Sequence, residues 1–356
     1  MNATCSRLNP FVTPSRPKRR PRGIALITAL FVLFFLLTLA TTYVFTVQLE
    51  INLARNYEDD LKAQYIAKAG IYRAMGELRN QTRSGSFAYP RPDLPEDQEL
   101  YERYQEVYVD VPVGGGSYTV KFKDNFGQVG YGPMDESSLI NINALAQKQD
   151  RETLSRLFET VVDDFTTIDK ILDCLIDYID SDDFSGVNGA EQMEYEDLEP
   201  PEVIANAPMR DINQFLIILE VMKKLYPEEI DDTIWFGEDL NANGILDPNE
   251  DDGAENPPFD DMDGTLDKGI KEYLTVDSNT ATINPNTASP DVLKIMMPEN
   301  YEQILEERQI AHVSGNSSVF RIRSYGKYRG YTHVVEWVVS LGGGDRYPSI
   351  LKMYSL

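Results

Sequence analysis

From Ile24 to Leu49 the chain runs 26 residues without a formal charge. The stretch from Ile24 through Leu30, Phe31, Phe34 and Phe35 to Val47 is broken only by Thr and Tyr, and a helix of ~20 such residues spans a bilayer core. The 23 residues before it hold six bases (Arg7, Arg16, Lys18, Arg19, Arg20, Arg22) and no acid. The whole chain of 356 residues has a net charge of −25, so the rest carries −31. The basic flank is expected to stay cytoplasmic, with the acidic body across the membrane. A cleavable secretory signal would have a shorter apolar core of ~7–15 residues, ending in a small-residue cleavage site. No clear site of that kind precedes Gln48-Leu49-Glu50, so a retained single-pass helix is expected over 24–47. An acidic body also speaks against nucleic acid as a partner, because phosphate backbones are held by clustered Lys and Arg. Cys5 and Cys174 are the only cysteines, and they fix no redox compartment.

Beyond the apolar run the next proline is Pro90, and Leu61, Tyr65, Ala69, Tyr72 and Met75 recur every three or four residues. That spacing predicts an amphipathic continuation of the same helix, roughly 84 Å from Ile24 to Arg79. Gly70 and Gly76 weaken it, which makes a bend or an earlier end possible there.

A basic leader ending in Arg22-Gly23, directly followed by a long apolar helix, resembles the type IV pilins and type II secretion pseudopilins. The resemblance implies that prepilin peptidase cuts between Gly23 and Ile24, leaving Ile24 as an N-methylated terminus. The sequence departs from that pattern twice: Ile24 stands where Phe is common, and Thr28 takes the fifth mature position, usually Glu. In that superfamily the carboxylate neutralises a neighbouring subunit's amine, since a lone charge in hydrocarbon is costly. Its absence is typical of the protein K family, the large minor pseudopilins.

The body alternates in character. Ser117–Phe122, Val319–Arg323, Thr332–Val339 and Ile350–Tyr354 are strand-like, so a small antiparallel sheet is expected from both ends of the soluble part. Between them the period turns helical. Leu154, Leu157, Phe158, Val161 and Val162 form one apolar face; Ile171, Leu172, Leu175, Ile176 and Ile179 a second; Ile212, Phe215, Leu216, Leu219 and Met222 a third. Ser289-Pro290 reads as an N-cap with proline at the first helical position.

Asn141-Ile142-Asn143 and Asn284-Pro285-Asn286, the acidic run Asp173 to Asp183, Gly189-Ala190-Glu191, Tyr195 and Pro200-Pro201 follow one another in an order similar to the protein K family. The resemblance implies an α+β, pilin-like fold: a long N-terminal helix on a small antiparallel sheet, with a large helical domain inserted. The expected division is a leader over 1–23, the long helix over 24–80, the first part of the pilin-like domain over 81–144, the insert over 145–312, and closing strands over 313–356. Asn-Thr-Ala-Ser-Pro at 286–290 is partly similar to helix-hairpin-helix DNA-binding units, but the glycine hairpin and the basic surround are missing.

Asp239-Leu240-Asn241-Ala242-Asn243-Gly244-Ile245-Leu246-Asp247-Pro248-Asn249-Glu250 fits the twelve-residue EF-hand loop. Asp239, Asn241 and Asn243 supply side-chain oxygens at positions one, three and five, with Gly244 at the turn and the Ile245 carbonyl at seven. Asp247 stands at nine and Glu250 at twelve, where it can bind bidentately, so Ca2+ is the expected cofactor. Asp260, Asp261, Asp263 and Asp267 hold the core of a second loop, but that frame puts Phe259 at one and Ile270 at twelve, which leaves a separate site in doubt. Residues 238–263 contain ten carboxylates and no base, so metal binding and local folding should be coupled. Residues 173–202 contain eleven, again with no base. The family resemblance makes Asp177, Asp180, Asp182, Asp183 and Glu191 calcium candidates, though no ligand spacing singles them out.

No short motif couples His312 or His333 to Cys174 or to a serine, so no enzyme is expected. The resemblance implies a minor pseudopilin of a type II secretion system. It would sit in the cell inner membrane with its bulk in the periplasm, and join minor pseudopilins I and J at the tip of the pseudopilus above the shaft subunits. A minor pilin of a surface type IV pilus, and a membrane-anchored calcium-dependent hydrolase or carbohydrate-binding module, stand as alternatives.

Overall fold

Helix α1 (Arg22–Gln81) runs unbroken for 60 residues. It belongs to a computed structural model that describes residues 22–81, 87–123, 129–239, 246–250, 253, 262, 264–278, 280–342 and 347–355. The chain divides into two compact units, Met1–Glu58 and Asp59–Leu356. In the first, the apolar side chains of α1, among them Leu26, Phe31, Phe34 and Phe45, are exposed, and length and composition suit the helix to cross a membrane once. Its hydroxyls are satisfied within the helix: Thr28 Oγ1 donates to the carbonyls of Ile24 (3.1 Å) and Ala25 (3.0 Å), and Thr38, Thr41, Thr42 and Thr46 do the same three or four residues back. A polar group so paired is tolerable in hydrocarbon.

In the second unit, the last turns of α1 lie on an antiparallel sheet. The buried face is Ala63, Ile66, Ala67, Gly70, Ile71, Ala74, Met75 and Leu78. This corrects the face expected from the sequence, because Tyr65 and Tyr72 are exposed and only Met75 is shared. The reason is steric. Small residues let helix and sheet backbones approach, and a Cβ on Gly70 would stand 2.3 Å from Ser324 Oγ and 2.8 Å from the Tyr118 ring. A Cβ on Gly326 would stand 2.1 Å from the Ala63 carbonyl oxygen. Gly70 therefore seats the helix, and the earlier end considered there does not occur, since α1 continues to Gln81.

The strands are β1 (Val111–Val113), β2 (Gly116–Lys123), β3 (Val129–Tyr131) and β4 (Met134–Asp135), then β7 (Val319–Tyr328), β8 (Tyr331–Ser340) and β9 (Ser349–Ser355) at the other end of the chain. Their order is β1-β2-β7-β8-β9, with β3 against β2 and β4 against β7. Tyr118 faces Gly326 and Val120 faces Ser324, so the two ends of the body meet as expected. Helix α2 (Gln98–Tyr108) has no counterpart in the sequence reading; it buries Tyr104, Val107 and Tyr108 on the same core.

Between β4 and β7 lies the helical region. A short parallel pair, β5 (Ile140–Asn141) with β6 (Leu274–Thr275), closes its base. The helices are α3 (Ile142–Gln147), α4 (Arg151–Phe158), α5 (Phe165–Ile179), α6 (Gln192–Glu196), α7 (Phe215–Leu225), α8 (Thr233–Phe236), α9 (Pro290–Met296) and α10 (Tyr301–Ile310). The predicted faces of α4, α5 and α7 enter one separate core around Phe158, Phe215 and Trp235.

The two Asn-x-Asn segments are structural pins. Asn141 caps α3 through the Ala144 N–H (3.0 Å). The Asn143 amide donates to the Met209 carbonyl (2.8 Å) and accepts its N–H (2.8 Å), as a strand neighbour would. Asn284, fully buried, donates to the Phe87 carbonyl (2.8 Å), Asp135 Oδ2 (3.0 Å) and Ser317 Oγ (2.8 Å). Beside it, Arg321 on β7 bonds Glu136 (2.6 Å), Glu336 (2.9 Å) and Asp277 (2.9 Å).

Two alanine substitutions separate packing from propensity. Gly326→Ala is expected to destabilise the full chain in detergent by ~1–3 kcal/mol, because the new methyl meets backbone atoms. Gly76→Ala, with open space at its Cβ, should instead stabilise by up to ~1 kcal/mol. Thermal unfolding of both variants checks the opposite signs.

Candidate functional site

The acidic end of α5 gathers carboxylates that the fold partly strands. Asp177, 3% exposed, accepts N–H bonds from Gly186 (2.9 Å to Oδ2) and from Ala190. A Cβ on Gly189 would lie 1.7 Å from Asp177 Oδ2, so only glycine lets the Gly-Ala-Glu turn close over that carboxylate. The turn carries Glu191 inward: it is 9% exposed, and neither side-chain oxygen meets a hydrogen-bond donor. Asp180 Oδ1 and Asn206 Oδ1 are likewise buried without a donor, and the Asn206 amide holds the Asp182 carbonyl (3.1 Å) and the Asp183 carboxylate (3.2 Å).

The electrostatic result is strain among like charges. Burial, then the charges of Asp177, Asp180, Asp183 and Asp182, push the Glu191 carboxyl up to about 7. Burial, then Asp180 and Asp173, push Asp177 up to about 6, against the opposing pull of the Gly186 N–H. Asp180 is raised as well, by burial and by Asp182. Asp173 stands apart, bonded to Arg151 Nη1 (2.9 Å) and to the Asn188 N–H (3.1 Å). Among the described residues no three His, Cys, Asp or Glu side chains converge on one point. The donor chemistry nevertheless fits a hard cation: several oxygens, mostly carboxylate, four of them buried and without a proton donor.

The predicted calcium loop is described in part. Asp239, Asp247 and Glu250 are placed; Asn241, Asn243 and Ile245 lie outside the described residues, as do Asp260, Asp261 and Asp263 of the second stretch. Glu250 is 1% exposed, its Oε2 accepts the Asp247 N–H (3.1 Å), and its own N–H returns to the Asp247 carbonyl (2.9 Å). Positions nine and twelve of the loop are thus folded against each other. The ends of the whole acidic stretch are pinned together: the Glu238 N–H donates to the Asp267 carbonyl (3.1 Å), and the Asp267 N–H to Glu238 Oε2 (2.9 Å). Asp267 therefore braces the base of the loop with its backbone, while its side chain is exposed.

The histidines have structural partners. His312 Nε2 bonds the Asp97 carboxylate (2.8 Å) and His333 Nδ1 bonds Asp60 (3.2 Å). Cys174 is buried, its thiol pushed up to about 12 first by burial and then by Asp177.

Residues 138–228, the segment containing both the Asn143 pin and the acidic cluster, match the family model described as Type II secretion system (T2SS), protein K. The search of curated proteins found no match. Among solved structures the chain is similar to a chain of the GspK-GspI-GspJ complex from the enterotoxigenic Escherichia coli Type 2 Secretion System. That match has 15% identity and a TM-score of 0.53, and covers 85% of this chain and 98% of that one. The long apolar helix, the antiparallel sheet and the helical region make up one α+β fold, the fold of that structure. The segment match is to a family that is a structural component of the secretion machinery, and it covers residues 138–228 of this chain.

The raised carboxyls set the sign of the pH dependence of the metal-free chain. A carboxyl whose folded pKa exceeds its unfolded value of ~4 binds more protons when folded, so stability is lost as pH rises towards about 6 for Asp177 and about 7 for Glu191. In chelator, the unfolding temperature should therefore fall between pH 5 and pH 8. Glu191→Gln should flatten that slope. A flat profile in the unaltered chain would reject the cluster as its source.

Proposed function

We infer that this chain is the large minor pseudopilin at the tip of a type II secretion pseudopilus, and that it works by packing and carries out no chemistry. Prepilin peptidase removes residues 1–23 after Gly23, and Ile24 becomes the methylated N-terminus. The chain waits in the inner membrane with its body in the periplasm, then joins two smaller minor pseudopilins, I and J, to cap the shaft and promote its assembly. The observation that carries the tip position is Thr28. Its hydroxyl is bonded to the helix's own Ile24 and Ala25 carbonyls. A carboxylate in that place would demand a neighbour's cation; this hydroxyl demands nothing from a subunit above. The solved complex of the structural relative, which by its description contains GspK, GspI and GspJ, supports the choice of partners.

Calcium is proposed as the resident ion of the helical insert. Asp177, Asp180, Asp182, Asp183, Glu191 and Asn206 would hold one ion, and Asp239, Asn241, Asn243, Ile245, Asp247 and Glu250 another. Asp260, Asp261, Asp263 and Asp267 are proposed only as outer support for the second. The ion supplies charge neutralisation, which lets the acidic segments fold.

Three measurements test these statements. N-terminal sequencing of the membrane-extracted protein should begin at Ile24; a start beyond residue 45 would sink the pilin reading. Co-purification with candidate small pseudopilins should give a complex, whereas a monomer with every candidate would count against the tip assignment. Glu250→Ala should lower the unfolding temperature in calcium and leave it nearly unchanged in chelator, and equal losses in both would dismiss that site.

A further inference from the structure

A cleft of about 790 Å3 opens within the second unit, where α2 and β3 face α10 and the Asn286 to Ser289 segment that precedes α9. Five aromatic rings line it: Tyr89, Tyr101, Tyr104, Phe122 and Tyr131. Its charged lining among the described residues consists of Arg91 and Arg308, with His312 beside them and no Asp or Glu. In a chain with 58 acids against 33 bases, two guanidiniums and no carboxylate among the described lining residues run against the composition.

The fold holds the two arginines there through neutral groups. Arg308 Nη1 donates to the Ala288 carbonyl (2.8 Å), and Arg91 Nη1 donates to the Arg308 carbonyl. Arg91 also has an acid partner, Asp93. Arg308 has none among the described residues, so part of its planar donor fork is left for something else. Burial, and then the neighbouring Arg91, press its charge down from the ordinary value. An anion entering the cleft would relieve both penalties, because guanidinium binds carboxylate with two parallel hydrogen bonds.

The walls narrow the class of anion. Aromatic rings with Pro90, Met134 and Leu305 offer contact area to an apolar or aromatic body. Strand β3 contributes Val129, Gly130 and Tyr131 to the lining and pairs with β2 alone among the described strands, so one of its edges has no strand neighbour there. An extended chain can lie along such an edge, while a compact small molecule cannot use it. Phe122 lies across Gly130, where a Cβ would stand 2.4 Å from its ring, so the ring's place in the wall depends on that glycine.

We propose that the cleft bounded by α2, β3 and α10 binds the end of an extended polypeptide, its terminal carboxylate on Arg308 and Arg91 and its last aromatic or large aliphatic side chains among Tyr101, Tyr104, Phe122 and Tyr131. This site is separate from the membrane helix and from the acidic cation clusters. It gives an assembly subunit a place to hold another protein by its last residues.

The test uses the full chain in detergent and fluorescein-labelled pentapeptides ending in Phe, Tyr, Leu or Ile, each made as the free acid and as the C-terminal amide. Fluorescence anisotropy should show saturable binding of at least one free acid, at least tenfold weaker for its amide, and weakening with salt. Arg308→Gln should remove that tenfold preference without changing the unfolding temperature by more than a few degrees. If Arg308→Gln does not fold, Gly130→Val serves instead, because it displaces the Phe122 ring and should weaken acid and amide together. Phenylacetate is the small-molecule arm: competition only at concentrations far above the peptide's supports the extended ligand, and equal potency overturns it. Absence of binding by all the acids, or equal binding of acid and amide, overturns the carboxylate assignment.

Discussion

A fully buried carboxylate sits where the sheet and the helical region meet. Asp135, at 0% exposure, ends β4, and its side chain accepts from Asn284, Thr287, Ser317 and the Ser137 N–H. Burial raises its pKa, and these donors oppose the rise. Next to it, Glu136, Asp277 and Glu336 surround Arg321, with Arg323 on Glu336 and Lys352 on Asp277. Three carboxylates meet three cations, and a neutral knot inside a chain of −25 can be buried without an uncompensated charge. Every entry and exit of the helical region passes this seam: Ile140–Asn141, Leu274–Thr275, and the Asn284 to Ser289 turn.

The helices attached to that seam can then carry sites that are poorly stable alone. Asp177 and Glu191 are kept close and buried by the Gly189 turn, and the Glu238–Asp267 hydrogen bonds hold the ends of the second acidic stretch together. At the first place the fold supplies the frame and leaves like charges facing one another, within the segment of the family match.

Much of this was legible in the sequence, for physical reasons that differ by element. The strands β2, β7 and β8 and the faces of α4, α5 and α7 show in hydrophobic period because each buries apolar side chains in a core. The apolar span shows by its length without charge, and β9 by its strand-like composition, although Ile350, Leu351 and Met353 are exposed. The contact face of α1 did not show. Half of its buried face is small, Ala63, Ala67, Gly70 and Ala74 among Ile66, Ile71, Met75 and Leu78, so the larger Tyr65 and Tyr72 drew the expected face away from it. Helix α2 was missed because only Tyr104, Val107 and Tyr108 of its 11 residues are buried, too sparse for a period. For the proposed cation sites, Asp239, Asp247 and Glu250 come from ligand spacing, whereas Glu191 comes from the family resemblance, and the fold adds that its carboxylate is buried without a donor. The aromatic cleft left no local signal at all, since its arginines are 217 residues apart.

The pairing of Tyr118 with Gly326 also dictates an order of events as the chain folds. Joining strands about 200 residues apart carries a loop-closure cost that grows with the logarithm of the length between them, and non-local contacts of this kind are slow to form. The parallel pair Ile140–Leu274 removes most of that length once the intervening helices have packed. The insert is thus the shortcut by which the two halves of the sheet find each other, and damage to its core should appear first as slow pairing of β2 with β7.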